Sequence, residues 1–119
     1  MRPRRHDGIV IEKLGSQVYS SHLKRLVSRA QGHCIYCGRL ARKLELDHVI
    51  PIARGGTGAK KNFIPCCRRC NSSKHDKDLA DWLHEKHGTV GLARALVFIE
   101  QRKFLPELAT DLFSLAEAR

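Results

Sequence analysis

Two short motifs constrain this chain more than anything else in it: Cys34-x-x-Cys37 and Cys67-x-x-Cys70, separated by 29 residues. A two-residue gap lets the backbone turn in a knuckle whose sulfurs converge, and two knuckles can present four thiolates tetrahedrally to one zinc ion. Gly38, directly after the first pair, frees the backbone to bend around the metal. The competing reading is four buried apolar thiols, against which the repeated spacing argues. Four thiolates leave no open coordination position, so this zinc would be structural, and its binding would count as folding free energy. Cys66 could pair with Cys70 under looser zinc spacings. Cys67 repeats the spacing of the first pair, however, and Cys66 is expected to pack inward.

A chain of 119 residues is expected to form one small unit with a modest core, which a metal staple would reinforce. Lys and Arg number 22 against 12 Asp and Glu, a formal net charge of +10. That balance favours a polyanionic partner, nucleic acid first, although a solvated basic surface that only maintains solubility has the same composition. The apolar run Ile9-Val10-Ile11 is too short for a signal-peptide core, and no stretch has the length of a membrane span. The expectation is a cytoplasmic protein with no membrane partner, in a reducing compartment where five cysteines read as metal ligands rather than disulfides.

Along the chain, residues 1–19 read as a basic arm, with Arg2, Pro3, Arg4 and Arg5, and a short extended segment. Leu23, Leu26, Val27 and Ala30 recur at helical spacing, with Ser20 or Ser21 as N-cap and Gly32 as the stop. "KLELDHVI" and "NFIP" read as two short strands around the loop "PIARGGTGAKK". A helix is expected after Cys70, carrying Leu79, Trp82 and Leu83 and ending at Gly88. Thr89 can cap a second helix to about residue 103, with Leu92, Ala95, Leu96 and Ile99 packing on the core or a partner subunit. Pro106 opens a third. The expected organisation is an arm over 1–19, a core over 20–88 and a helical extension over 89–119.

A second constellation lies between and behind the knuckles. Asp47 and His48 end the first strand, where neighbouring side chains point to opposite faces unless the strand is distorted. Pro51 and Gly55-Gly56 would permit that. Asn71 and His75, spaced i and i+4, would share one face of the following helix. With Asp47 they offer a carboxylate, an amide oxygen and an imidazole, a set suited to Mg²⁺ or Mn²⁺ and less well to Zn²⁺ or Ni²⁺. Read alone, Asn71 is a helix N-cap and His75 a solvated ring. Their coincidence with Asp47, His48, Asn62 and a glycine loop inside one zinc-stapled frame favours the functional reading.

Taken together, these residues resemble the HNH endonuclease family, in its zinc-stapled branch, over residues 34–79. The resemblance is carried by Cys34-x-x-Cys37, Leu46-Asp47-His48-Val49-Ile50-Pro51, Gly55-Gly56, Asn62, and Cys67-x-x-Cys70-Asn71-Ser72-Ser73-Lys74 with His75. It implies an α+β fold built on a ββα-metal core with flanking helices at both ends, and cleavage of phosphodiester bonds in DNA. It makes His48 the general base, Asn62 the residue that holds the loop and helps orient it, and Asp47 a ligand of the catalytic ion. Asn71 matches the helical ligand position, and His75 the last letter of the family's name. Arg54, Lys60, Lys61, Arg68, Arg69 and Lys74 surround this site in sequence and could neutralise phosphates, although each taken singly reads as a solvated charge. One such site cuts one strand, so double-strand cleavage would call for a homodimer or two events. The rival readings are a non-catalytic zinc module that binds nucleic acid and a nuclease that cuts RNA.

Overall fold

The computed structural model describes residues 16–109; of the arm and extended segment expected over 1–19, residues 1–15 lie outside them, and residues 16–19 are helical rather than extended. The described residues begin with helix α1 (Ser16–Arg29), which starts four residues before the expected Ser20. Its inward face carries His22, Leu26 and Ala30, all buried. The helix stops in a Schellman turn: Gly32 N donates to Val27 O and Gln31 N to Ser28 O. Gln31 is the residue that first turns left-handed, at φ 52°, with Gly32 following at 75°. The stop expected at Gly32 therefore begins one residue earlier.

The first knuckle follows as a tight loop closed by an isolated bridge between His33 and Leu40. Cys34 N donates to Arg39 O, and Gly38 N to Cys34 O at 2.7 Å. Gly38 has φ 78°, and a Cβ there would stand 1.7 Å from the Ala109 carbonyl oxygen, so only glycine fits. Strands β1 (Glu45–His48) and β2 (Phe63–Cys66) pair antiparallel, with Glu45 opposite Cys66, Leu46 opposite Pro65, Asp47 opposite Ile64 and His48 opposite Phe63. Ile35 N donates to Pro65 O, which joins the knuckle to this ribbon.

Helix α2 (Arg68–Lys74) starts at the second cysteine pair and is only seven residues long. His75 breaks it with φ 50° and ψ −119°, and Asp78 starts a new helix by accepting a hydrogen bond from Asp81 N. The single helix expected between Cys70 and Gly88 is thus two, because Asp78 is an N-cap residue that favours a fresh start. Helix α3 (Leu79–Gln101) bends at Gly88, whose φ of 65° and ψ of −161° are non-helical, where the sequence places a boundary. Pro106–Leu108 form a single 3₁₀ turn, and residues 110–119 lie outside the description.

One core cluster joins α1, both strands and both halves of α3 through Leu26, Ala30, Ile35, Leu46, Ile64, Trp82, Leu83, Ala95 and Phe98. Full burial of Leu83 or Phe98 contributes roughly 1.5–3 kcal/mol each. The helix after Gly88 packs on this core, with Ala95 and Phe98 inward and Leu96 46% exposed. Leu96 therefore stands outside the apolar stripe expected of it, and Phe98 takes the inward place. Arg94, 1% exposed, locks the extension to the first knuckle: Nε donates to Ile35 O, Nη1 to Leu108 O and Nη2 to Tyr36 O. His33 stacks on Phe104 at 4.2 Å. Among the described residues no helix is long and apolar enough to cross a membrane.

Candidate functional site

The four cysteines of the two pairs converge. Their sulfurs all lie within 4.8 Å of one another, and among the described residues they form the metal-ligating cluster of His, Cys and acidic groups. A tetrahedral zinc with bonds of about 2.3 Å needs sulfurs roughly 3.8 Å apart, so the cluster closes on an ion with small side-chain adjustments. Cys37 N lies 3.4 Å from Cys34 Sγ, an N–H donor aimed at the sulfur. The thiols also share protons unequally. Hydrogen bonding from Cys34 pulls Cys67 down to about 6 and holds Cys37 well below the usual thiol range, while Cys34 itself is pushed up. These residues fit a structural metal. Cys66 is 0% exposed, as expected, and burial raises its thiol.

His87, on the first half of α3, was not marked by any sequence pattern. Its Nε2 lies 3.8 Å from Cys70 Sγ, and the ring meets Trp82 edge-on at 5.5 Å. It is an outer partner for a cluster sulfur, supplied from a part of the chain 17 residues beyond Cys70.

The second group is organised by the pleat of β1. Asp47 and Glu45 leave the strand on the side of α2: Asp47 Oδ2 lies 2.9 Å from Lys74 Nζ, and Glu45 Oε1 accepts from Asn71 Nδ2 at 2.6 Å. The Tyr36 hydroxyl, fully buried in the first knuckle, donates to the same Asp47 oxygen at 2.5 Å. Burial raises the Tyr36 phenol well above its ordinary value. The His48 ring lies 4.5 Å from that of Phe63, which in turn meets His22 edge-on at 6.0 Å. Burial lowers the His22 imidazole, whose Nε2 lies 3.1 Å from Lys60 O.

Two expectations need correction. His75 does not share a helical face with Asn71. It sits beyond the last helical residue with a left-handed φ, its side chain is 77% exposed, and its Nδ1 lies 3.6 Å from Asp76. Lys74 is not a surface cation free to meet phosphate: it is 0% exposed, bound to Asp47 and donating to His48 O. Glu45 and Tyr36 were missed. Glu45, two positions before Asp47, was legible from the strand period alone; nothing in the knuckle sequence points to Tyr36.

The loop between the strands is held by Asn62, 9% exposed. Its Oδ1 accepts from Ile50 N at 3.0 Å, and its Nδ2 donates to Ile50 O and to Thr57 O. Its backbone oxygen accepts from Val49 N at 2.7 Å. Gly56 packs against this corner so closely that a Cβ would stand 1.7 Å from Ile50 O. Of the remaining expected cations, Arg54, Lys61, Arg68 and Arg69 are exposed and Lys60 is half-buried. Arg54 Nε donates to Asp76 O, which ties the loop to the end of α2.

Comparison with known proteins meets this geometry. Over 59 residues the chain is 37% identical to the CRISPR-associated endonuclease Cas9 of Corynebacterium diphtheriae, a match that covers 47% of this chain and 5% of that protein. The chain thus spans a small fraction of the relative's length. No solved structure matches it. Residues 34–77, which hold both knuckles, β1, the Asn62 loop and α2, match the HNH endonuclease family model.

Proposed function

We propose that the domain is a metal-dependent DNA endonuclease or nickase that hydrolyses phosphodiester bonds with His48 as general base. The observation that carries the reading is the way Asn62 spends both ends of its amide on the backbone that follows His48. That bonding gives a buried asparagine the loop-holding role which the family pattern requires beside a catalytic histidine. Support comes also from the +10 charge, from exposed Arg54, Lys61, Arg68 and Arg69 around the same segment, and from the word endonuclease in the relative's name.

In this mechanism, His48 takes a proton from the attacking water, since a neutral imidazole accepts near working pH. Phe63 restricts the ring, and Asn62 holds the chain beyond it. Cys34, Cys37, Cys67 and Cys70 would hold a structural Zn²⁺ that fixes the start of α2. Asp47 and Asn71 would hold the catalytic cation, with Glu45 fixing the Asn71 amide. Their hard oxygen donors fit Mg²⁺ or Mn²⁺ better than Zn²⁺ or Ni²⁺. When bound, that ion would polarise the scissile phosphate and relieve its developing charge. Exposed arginines would contact flanking phosphates, which makes binding salt-dependent. One copy nicks one strand, and cutting both calls for two copies or two events.

A second reading, a zinc module that binds nucleic acid without cutting it, is favoured by one observation: the Asp47 carboxylate already has Lys74 and Tyr36 as partners. A supercoiled-plasmid assay over several divalent ions, run beside matched RNA, separates the two. Nicking that is lost in His48→Ala supports the nuclease; binding without cleavage under every ion supports the module.

A further inference from the structure

A lysine with no exposure persists in a fold only where its charge is matched and its donors are used. Lys74 meets both conditions on β1. Its ammonium lies 2.9 Å from Asp47 Oδ2 and donates to the His48 carbonyl oxygen, also at 2.9 Å. One group therefore grips the side chain of the first residue and the backbone of the second, spanning the Asp47–His48 dipeptide. Tyr36 pins the same carboxylate oxygen from the first knuckle. On the other side of His48, Asn62 holds Val49 N and Ile50 N. Lys74 itself stands four residues after Cys70, at the end of a seven-residue helix that begins in the cysteine cluster.

From this placement we infer that Lys74 is a positioning residue: it carries the rigidity of the cysteine cluster into the Asp47–His48 dipeptide, and its charge moderates the pull of Asp47 on a divalent cation. The inference rests on the proposed reading of Asp47 as a ligand of that cation, and deepens it. A lysine kept only to fill space needs no bridge to two successive residues. A lysine kept to bind phosphate needs exposure, and Lys74 has none.

The test uses the full chain, loaded with zinc, and the variant Lys74→Met, which keeps the side chain's length and removes its charge. Zinc content, Mn²⁺ affinity by calorimetry, and kcat and KM for plasmid nicking are measured on both proteins. The Mn²⁺ Kd is expected to fall by about tenfold, since a unit positive charge beside the carboxylate is gone. Turnover is expected to fall by about 100-fold, with KM little changed, because His48 loses its fixed backbone. A purely structural role would weaken both together. Should Lys74→Met fold poorly, the double variant Lys74→Met/Asp47→Asn, which removes both charges, is expected to recover a Tm above the single variant.

Mn²⁺ binding that is unchanged or weaker in zinc-replete Lys74→Met overturns the inference, as does a double variant no more stable than the single one. Those failures in a wild type that nicks plasmid leave the nuclease reading standing. A wild type that neither binds Mn²⁺ nor nicks takes both down.

Discussion

The cysteine cluster and the polar face of β1 are built from overlapping sequence, since Cys67, Cys70, Asn71 and Lys74 lie within eight residues, yet they form by different rules. In the cluster, identical side chains at a fixed gap converge because each knuckle is local, and one ion would satisfy all four sulfurs. On β1 the partners come from the first knuckle, from α2 and from the loop, and each goes where the pleat and a charge partner send it. Spacing specifies geometry when closure is local. Where a strand face and buried charges must be satisfied by distant elements, spacing names the candidates without pairing them.

The largest expected effect tests whether the first region supports the second. Cys37→Ser, or removal of zinc by a strong chelator, should abolish the cooperative fold, since structural zinc in small modules is worth on the order of 10 kcal/mol or more. Far-UV circular dichroism with metal analysis reads this, and a folded metal-free chain would show that the two regions are independent. His48→Ala should separate them in the other direction, lowering plasmid nicking by roughly 10²–10⁴-fold at unchanged zinc content and Tm.

Asn62→Ala acts at the seam between fold and site. Ile50 N, Ile50 O and Thr57 O lose their partner, and a buried group left unpaired costs about 1–3 kcal/mol, so denaturant stability and nicking should fall together. Nicking lost at full stability would instead assign Asn62 to the chemistry itself. His87→Leu removes the outer partner of Cys70 and should weaken zinc by about 10-fold with the fold retained, as read by competition with a chromogenic chelator.

The smallest effect concerns His22. Its folded imidazole is lowered from 6.5 by burial, so the unfolded chain takes up the proton first as pH falls. The stability due to neutral His22 is complete above pH 6.5 and declines below it towards the lowered folded value. Ring titration by NMR should place His22 below 6.5; a value above 6.5 would show that the ring gains a partner instead.

Most of the fold was legible because its signals are local. The knuckles, the two strands, the α1 stripe and the bend at Gly88 each follow from a few consecutive residues. Misreadings arose where two local rules compete. Helical periodicity across residues 71–83 ran through His75, yet Asp78 offered a better cap and the chain broke there, which turned His75 into solvent. Lys74 read as a solvated charge because lysine seldom has no exposure; only the facing Asp47 makes burial tolerable. Arg94 gave no signal at all, since its partners are backbone oxygens 14, 58 and 59 residues away.

By itself, then, the sequence determined the four-thiol cluster and the ββα order, and it named Asp47, His48, Asn62 and Asn71 as candidates, because motif spacing and strand period act over short stretches. Tertiary structure alone decided which of them meet. It sent Asp47 to Lys74 and Tyr36, Asn71 to Glu45, and His48 to the ring of Phe63. The physical reason is that a buried charge or amide must find its partner wherever the chain places one, and that placement is settled by packing among elements far apart in sequence.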